Sequence, residues 1–400
     1  MKFREDGTFH ILQFADIQEL PEASEDTMAL IRRALDTARP DLVVLTGDQL
    51  KGYSRAFRKK PGQTEKAIRG ILEPIVSRGI PFAVTFGNHD RQSGMSNEEQ
   101  MGIYRRIPGC VDWLNSRGQE ILHGPEEGTF AIGIQNFEET KTVMAVYLLD
   151  SQGDAAGGGC QTLHPKQIYW YKAARDTFAQ VHGGLVPGIV FQHIPMPEYY
   201  RLLRRVDKKT RGAIRTYRTH ANEYYLLDEE KCDGGSFREA VSAPDNNARE
   251  FESLREKGDI FAVYCGHDHR NSFVGNWGGI DLGYTPSCGF HDYGDGVSRA
   301  VRELIFHEEN PADYETRLLT YKELVGSRPS HPFRDFVYSH IPATREEALE
   351  KVKKYLLFIH REQTERYAQD CRKSIPPFSD IHTRKSSFFI FLSFDLRTPS

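Results

Sequence analysis

The chain has 400 residues, more than one hydrophobic core usually serves, so one large domain with additions, or two domains, is expected. Hydrophobic residues make up 39% and charged residues 27%, an ordinary balance for a soluble globular enzyme. The net charge of -4 argues against a surface built throughout for nucleic acid, and no run is apolar enough to span a bilayer as a helix, the longest being Phe388 to Phe394.

In chain order, Phe9 to Ala15 reads as a strand ending at Asp16-Ile17-Gln18. Ser24 starts an amphipathic helix with Met28, Ile31, Ala34 and Leu35 at helical spacing, stopping before Pro40. Asp41 to Thr46 is a continuous apolar strand of the kind covered on both faces, and it ends at Gly47-Asp48. A helix from about Thr64 to Ser77 leads to Phe82-Ala-Val-Thr-Phe86, which stops at Gly87-Asn88-His89-Asp90. This alternation predicts parallel βαβ units over the first ninety residues. In such sheets ligands bind at the C-terminal strand edge, where these acids and the histidine fall.

Further on, Thr129 to Ile134 and Lys141 to Leu149 read as paired strands, the second ending at Asp150. A glycine-rich loop (Gly153 to Gly159) and a helix from Pro165 to about Val181 follow, with proline in its first turn. Val186 to Gln192 is a buried strand ending at His193. Asp259 to Cys265 is another, ending at Gly266-His267-Asp268-His269. Between them lies a polar insertion, residues 198–258. Short strands over 272–306 and one near Tyr314 to Thr320 predict a second, mostly antiparallel sheet.

The polar residues just past these strands form one constellation. Asp16 and Gln18, Asp48, Asn88 with His89 and Asp90, His193, and His267 with His269 all follow apolar runs. Asp-x-Gln and His-x-His let both side chains of each pair point to one side of an extended backbone. Oxygen and imidazole donors without thiolate suit manganese, iron or zinc. Two such ions ~3.5–4 Å apart suit displacement at phosphorus.

These five blocks, in this order, resemble the calcineurin-like metallophosphoesterases, whose pattern runs Asp-x-His, Gly-Asp, Gly-Asn-His-Asp/Glu, a lone His and Gly-His-x-His. The match spans roughly residues 9 to 306. His193 to Glu198, Gly235 to Asn247 with Glu239, Pro244 and Asn247, Gly266 to Asn271, and Gly289 to Gly294 resemble more closely its short purple-acid-phosphatase-like branch, whose substrate is unsettled. The resemblance implies a four-layer α/β fold, two packed mixed β-sheets flanked by helices, over residues 1–326. It implies two divalent or mixed-valence ions (Mn, Fe or Zn). Asp16, Gln18, Asp48 and His269 would hold the first, and Asp48, Asn88, His193 and His267 the second. His89 would assist the leaving group, and Asp90 would fix the His89 ring by a hydrogen bond.

The implied reaction is hydrolysis of a phosphomonoester or phosphodiester by metal-bound hydroxide, on a phosphorylated small molecule or a phosphoprotein. A nuclease or nucleotide pyrophosphatase using the basic insertion is one alternative, and a catalytically silent metal-binding scaffold the other. Lys51 stands at the fifth position of the Gly-Asp-x-x-Tyr pattern of true purple acid phosphatases, so neither a charge-transfer colour nor an obligate ferric ion is expected. Gln18 replaces the usual histidine with a weaker, neutral donor, read here as a tuned ligand.

Between Arg201 and Arg218 stand Arg201, Arg204, Arg205, Lys208, Lys209, Arg211, Arg215 and Arg218, against Asp207 alone. This cluster reads as a phosphate-recognition surface or as a solvated face balanced by Asp228 to Glu230. The extension 327–400 opens on a linker-like stretch with Pro329, Pro332 and Pro342. A helix over about 345–370 follows, begun by the capping box Thr344 to Glu347, and then the apolar segment Phe388 to Phe394. The N-terminus has no apolar h-region, and the six cysteines are scattered without a Cys-x-x-Cys. A cytoplasmic location with reduced thiols is expected.

Overall fold

A computed structural model describes residues 1–58, 62–113, 120–246 and 248–341. Met1–His340 form one compact unit. Its elements begin with β1 (Thr8–Phe14), α1 (Glu25–Ala38), β2 (Leu42–Thr46), α2 (Gln63–Val76), β3 (Phe82–Thr85) and α3 (Asn97–Tyr104). Next come β4 (Ile121–His123), β5 (Phe130–Gln135), β6 (Thr142–Leu149), α4 (Pro165–His182) and β7 (Gly188–Gln192). The insertion carries β8 (Leu203–Arg205), β9 (Ile214–Arg215), β10 (Tyr224–Leu227), β11 (Cys232–Gly234) and α5 (Glu250–Arg255). The chain continues through β12 (Ile260–Cys265), β13 (Val274–Trp277), β14 (Ile280–Tyr284), β15 (Ala300–His307), β16 (Glu315–Thr320), α6 (Tyr321–Leu324) and α7 (Pro332–His340).

Two mixed sheets pack face to face. One has the order β16-β15-β1-β2-β3, the other β11-β13-β14-β12-β7-β6-β5-β4. Side-chain alternation explains the layers. In β2, Leu42 and Val44 point between the sheets, while Val43 and Leu45 meet α1 and α2 through Ile31, Leu35, Ile68 and Leu72. In β6, Met144, Val146 and Leu148 face the other sheet, while Ala145, Tyr147 and Leu149 meet Ile168, Tyr171 and Phe178 of α4. Strands covered on both faces need apolar residues at successive positions, which is why they read as unbroken runs.

The expected separate antiparallel sheet after residue 272 does not form. β13 and β14 extend the larger sheet beyond β12, and β15 pairs antiparallel with β1 in the smaller one. A sheet of their own would leave β1 and β12 with an edge of unpaired backbone groups. The stretch expected as a linker also differs, since Pro332 opens α7, a position where its missing N–H costs nothing. The insertion forms a small sheet of order β8-β10-β9. The helix expected near 345–370, the apolar segment 388–394, Cys371 and Asn247 lie outside the described residues. Among those described, no helix is long and apolar enough to cross a membrane.

The fold places the chemistry through strand direction. β1, β2 and β3 run parallel, with Phe14 beside Leu45 and Thr46 beside Thr85. β6, β7 and β12 are parallel in the other sheet. Asp16, Asp48 and Asn88 therefore leave one sheet at the same end, and His193 and His267 leave the other.

Candidate metal centre

The two sheet edges are tied directly to each other. His193 Nδ1 donates to the Thr46 carbonyl (3.0 Å), and the His267 N–H donates to Asp16 Oδ2 (2.8 Å). The approach is so close that two motif positions admit only glycine. A Cβ on Gly47 would lie 2.7 Å from His193 Cβ, and one on Gly266 would lie 2.4 Å from Asp16 Oδ2. Asp16, Gln18, Asp48 and His267 all hold a left-handed backbone, with φ of 50°, 43°, 51° and 72°. For residues other than glycine this costs about 1–2 kcal/mol each, strain of the kind that collects at functional sites.

The side chains fall into two groups that share Asp48. In one, His193 Nε2 lies 3.3 Å from Asp48 Oδ2, 3.2 Å from Asn88 Oδ1 and 3.2 Å from His267 Nδ1. Asp48, His193 and His267 offer ligand atoms all within 4.8 Å of one another. In the other, His269 Nε2 lies 3.3 Å from Asp16 Oδ1 and 3.3 Å from Gln18 Nε2, which is 3.3 Å from Asp48 Oδ2. Donor atoms about 3 Å apart are what bonds of ~2.1 Å to one central ion require. Asp16 Oδ1 is also buried without a well-formed hydrogen bond, a cost that a cation would remove. The residues therefore fit metal ions.

Ring orientations agree with that fit. His193 commits Nδ1 to Thr46, and His269 commits Nδ1 to the Tyr293 carbonyl (2.9 Å), so each presents Nε2. The His269 ring also stacks on Tyr293, with centroids 4.1 Å apart and planes 7° apart. Tyr293 is held in turn by Glu239, which accepts from its hydroxyl at 2.6 Å. Such partners fix ring position and donor basicity.

Protons balance the charge in this arrangement. Burial opposes a charge on Asp48, but His193 and His89 beside it hold its pKa far below the usual carboxylate range. Burial likewise opposes charge on His193, yet Asp48 and Asp16 push its pKa up to about 10. Asp16 outweighs burial at His269 in the same way, raising it to about 9. Burial and the neighbouring His193 keep His267 well below the ordinary value, hence neutral. Two protonated imidazoles against the acids do a cation's electrostatic work.

Three expectations need correction or addition. Asp90 does not touch the His89 ring. Its carboxylate accepts from the backbone N–H groups of Gly87 (2.8 Å), Asp48 (2.9 Å) and Leu50 (3.1 Å), because it is fully buried beneath the turn that carries them. The His89 ring is instead oriented by Gln92, whose Oε1 lies 2.9 Å from Nδ1. Gln18 is in place, but its NH2 donates to Asp48 Oδ2 while Oε1 lies 3.3 Å from the Tyr53 hydroxyl, so ligation requires the amide to turn over.

Tyr53, Gln92 and Asp154 are the residues that sequence reasoning missed. Tyr53 packs edge-on to His89, centroids 4.7 Å apart, and donates to Asp292. Burial and the Asp292 charge raise its pKa, so it stays a phenol and supplies no tyrosinate. Lys51, at the fifth motif position, turns away to the His291 carbonyl (2.7 Å) and Asp292 (3.4 Å).

Part of the basic cluster is internally paired. Arg205 meets Glu223 (2.7 Å), Arg215 meets Asn222 (2.8 Å), and Arg218 is bonded to Asp245 (3.0 and 3.1 Å). Arg204, Lys208, Lys209 and Arg211 are exposed.

Comparison with known proteins follows the same lines. The family model for calcineurin-like phosphoesterases matches residues 9–271. Probable inactive purple acid phosphatase 14 of Arabidopsis thaliana is 26% identical over 334 residues, covering 76% of each chain. Phosphatase DCR2 of Saccharomyces cerevisiae is 26% identical over 356 residues, covering 81% of this chain and 55% of its own. A solved structure of a dimetal phosphatase from Danio rerio aligns with a TM-score of 0.44 at 12% identity, over 78% of this chain and 99% of its own. The chain belongs to the calcineurin-like phosphoesterase family, with distant homology to purple-acid-phosphatase-like proteins.

Proposed function

We propose that this protein is an active phosphoesterase with two metal ions, hydrolysing a phosphomonoester or phosphodiester. The observation that carries the reading is the convergence of seven donor-bearing residues, Asp16, Gln18, Asp48, Asn88, His193, His267 and His269, in two adjoining groups that share Asp48, with His89 beside them. Asp16, Gln18, Asp48 and His269 would hold one ion, and Asp48, Asn88, His193 and His267 the other. Manganese, iron or zinc suits these donors. Bound there, the ions supply Lewis acidity, lower the pKa of water and clamp phosphoryl oxygens.

The chain's own part is orientation and proton handling. His89 keeps Nδ1 on Gln92, leaving Nε2 facing the centre, 4.0 Å from Asp48 Oδ2 and a quarter exposed. That atom is placed to protonate or stabilise a leaving oxygen. Asp90 stiffens the turn that aims both Asp48 and His89. The substrate is read as a phosphorylated small molecule or phosphoprotein, and the location as cytoplasmic.

A silent scaffold is the second reading. It is favoured by the amide of Gln18, whose NH2 donates to Asp48 Oδ2 where a cation would otherwise sit, and it accords with the names of some relatives. Metal analysis with hydrolysis of 4-nitrophenyl phosphate and its bis-ester separates the readings. An active enzyme turns over at least one ester and loses turnover in His89→Ala. A scaffold binds metal, turns over neither, and is indifferent to that substitution.

A further inference from the structure

The glycine-rich segment 153–161 touches the centre at both of its ends. It closes on itself through Ala155 N–H to the Gly159 carbonyl (2.7 Å), Gly158 N–H to the Ala155 carbonyl (2.8 Å) and Gln161 N–H to the Gly153 carbonyl (2.8 Å). Asp154 and Cys160 face each other as an antiparallel bridge. From one end Asp154 Oδ1 accepts from Asn88 Nδ2 (3.1 Å), and Oδ2 accepts from Gln92 Nε2 (3.3 Å). From the other, Cys160 Sγ donates to the Ser242 carbonyl (3.2 Å) and lies 3.5 Å from His267 Nε2. The insertion holds this hairpin from outside. Arg218, bonded to Asp245, packs so closely that a Cβ on Gly159 would sit 2.5 Å from its Nε.

These contacts are directional in a way the site needs. The two ends of a primary amide have nearly the same size, so packing alone cannot decide which end faces inward. A carboxylate only accepts, so Asn88 and Gln92 must each turn their NH2 toward Asp154. Their oxygens then point where they are useful. Asn88 Oδ1 lies 3.2 Å from His193 Nε2, and Gln92 Oε1 lies 2.9 Å from His89 Nδ1. Cys160 works similarly. Its proton is committed to Ser242, so it offers only lone pairs to His267. His267 then keeps its hydrogen on Nε2 and presents Nδ1 to the centre, 3.2 Å from His193 Nε2.

We infer that the 153–161 hairpin is a positioning clip, in which Asp154 sets the amide orientation of Asn88 and Gln92 and Cys160 sets the tautomer of His267. The role in metal binding and turnover rests on the phosphoesterase reading; the orientation itself does not. Asp154 is exposed on a loop, so its removal leaves the fold intact, and circular dichroism checks this.

The test is a pair of crossed rescues. Asp154→Ala is expected to bind Mn2+ about tenfold more weakly in calorimetric titration, and to hydrolyse bis(4-nitrophenyl) phosphate with about tenfold lower kcat, the usual range for losing a ligand's partner. A carboxylate has no wrong end. Adding Asn88→Asp should therefore restore Mn2+ affinity, and adding Gln92→Glu should restore kcat, each without the other. A loop that only fills space would give no such cross-pattern. Affinity and kcat unchanged in Asp154→Ala, or lost without either rescue, would overturn the inference.

A further measurement needs no turnover. In metal-free protein labelled with 15N at asparagine and glutamine, the Asn88 and Gln92 NH2 signals, assigned by substitution, should shift in Asp154→Ala. Unmoved signals would overturn the clip even in an active enzyme. Shifted signals in a protein that hydrolyses neither ester would sustain the clip and reject the phosphoesterase reading. His267 offers the same check at the other end. Its 15N ring signals should report an Nε2–H tautomer that Cys160→Ser preserves and Cys160→Val loses; a tautomer indifferent to both would remove Cys160 from the clip.

Discussion

Removing Asp90 should unfold the protein more readily rather than disarm His89 selectively. The buried carboxylate accepts from three backbone N–H groups, those of Gly87, Asp48 and Leu50. Asp90→Ala leaves all three buried donors without a partner, at about 1–3 kcal/mol each. Part of the gain is already offset, because burial and the Asp48 charge raise the Asp90 pKa to about 7. A net loss of roughly 3–6 kcal/mol is therefore expected, or about 4–8 °C in Tm for a unit of this size. Asp90→Asn, which keeps one accepting oxygen, should lose about half as much. The assay is thermal melting by circular dichroism, with kcat read well below the transition. Gln92→Ala is the contrast, expected to lower kcat about tenfold with Tm unchanged, since Gln92 and not Asp90 meets His89 Nδ1. If Asp90→Ala melted within about 2 °C of the parent and lost kcat as fully as His89→Ala, the carboxylate would be acting on His89 and this account of the turn would fail.

His89→Ala should lower kcat by about 10²–10³ while leaving metal content and Tm unchanged, as checked by elemental analysis and melting; lost metal would place His89 among the ligands. Gln18→Ala should weaken one ion about tenfold, and Gln18→His should restore it; unchanged metal content and activity would show that Gln18 is no ligand. Metal uptake should release protons, because His193 and His269 hold theirs up to about 10 and about 9 in the metal-free fold and must be neutral to ligate. Affinity should thus rise with pH through about 7 to 9 and level off above about 10. An affinity flat over that window, in calorimetry with buffers of different ionisation enthalpy, would contradict the assignment. The same raised pKa values stabilise the metal-free fold fully below about 6.5, the ordinary histidine value, and that stability is lost as pH rises through about 9 to 10.

Much of this site was readable from the chain because strand ends are readable. Each apolar run, such as Leu42 to Leu45, must be covered on both faces, and the polar residue that ends it has one place to go, the C-terminal sheet edge. What periodicity could not supply was contact across long separations. Asp154 lies 66 residues from Asn88, and only the folding back of its hairpin brings them together. Gln92 lacked any pattern signal, although its position three residues after His89, at the end of one short helical turn, offered a geometric hint. Asp90 was misjudged because adjacency in sequence suggested adjacency of side chains. Successive residues at the start of a helical turn point roughly 100° apart or more, and the carboxylate goes to the nearest unpaired N–H groups instead. The strands after residue 272 read as strands but belong to both mixed sheets rather than to an antiparallel sheet of their own, because pairing depends on which edges the rest of the chain leaves open.

The most direct measurement is hydrolysis of 4-nitrophenyl phosphate and bis(4-nitrophenyl) phosphate by protein loaded with Mn2+, with the bound metal counted on the same sample and His89→Ala run beside it. An active dinuclear centre predicts two ions per chain and turnover of at least one ester, removed by chelation, restored by Mn2+ and lost in His89→Ala. Metal bound in full, neither ester hydrolysed, and His89→Ala indistinguishable from the parent would contradict it and leave the protein a metal-binding scaffold.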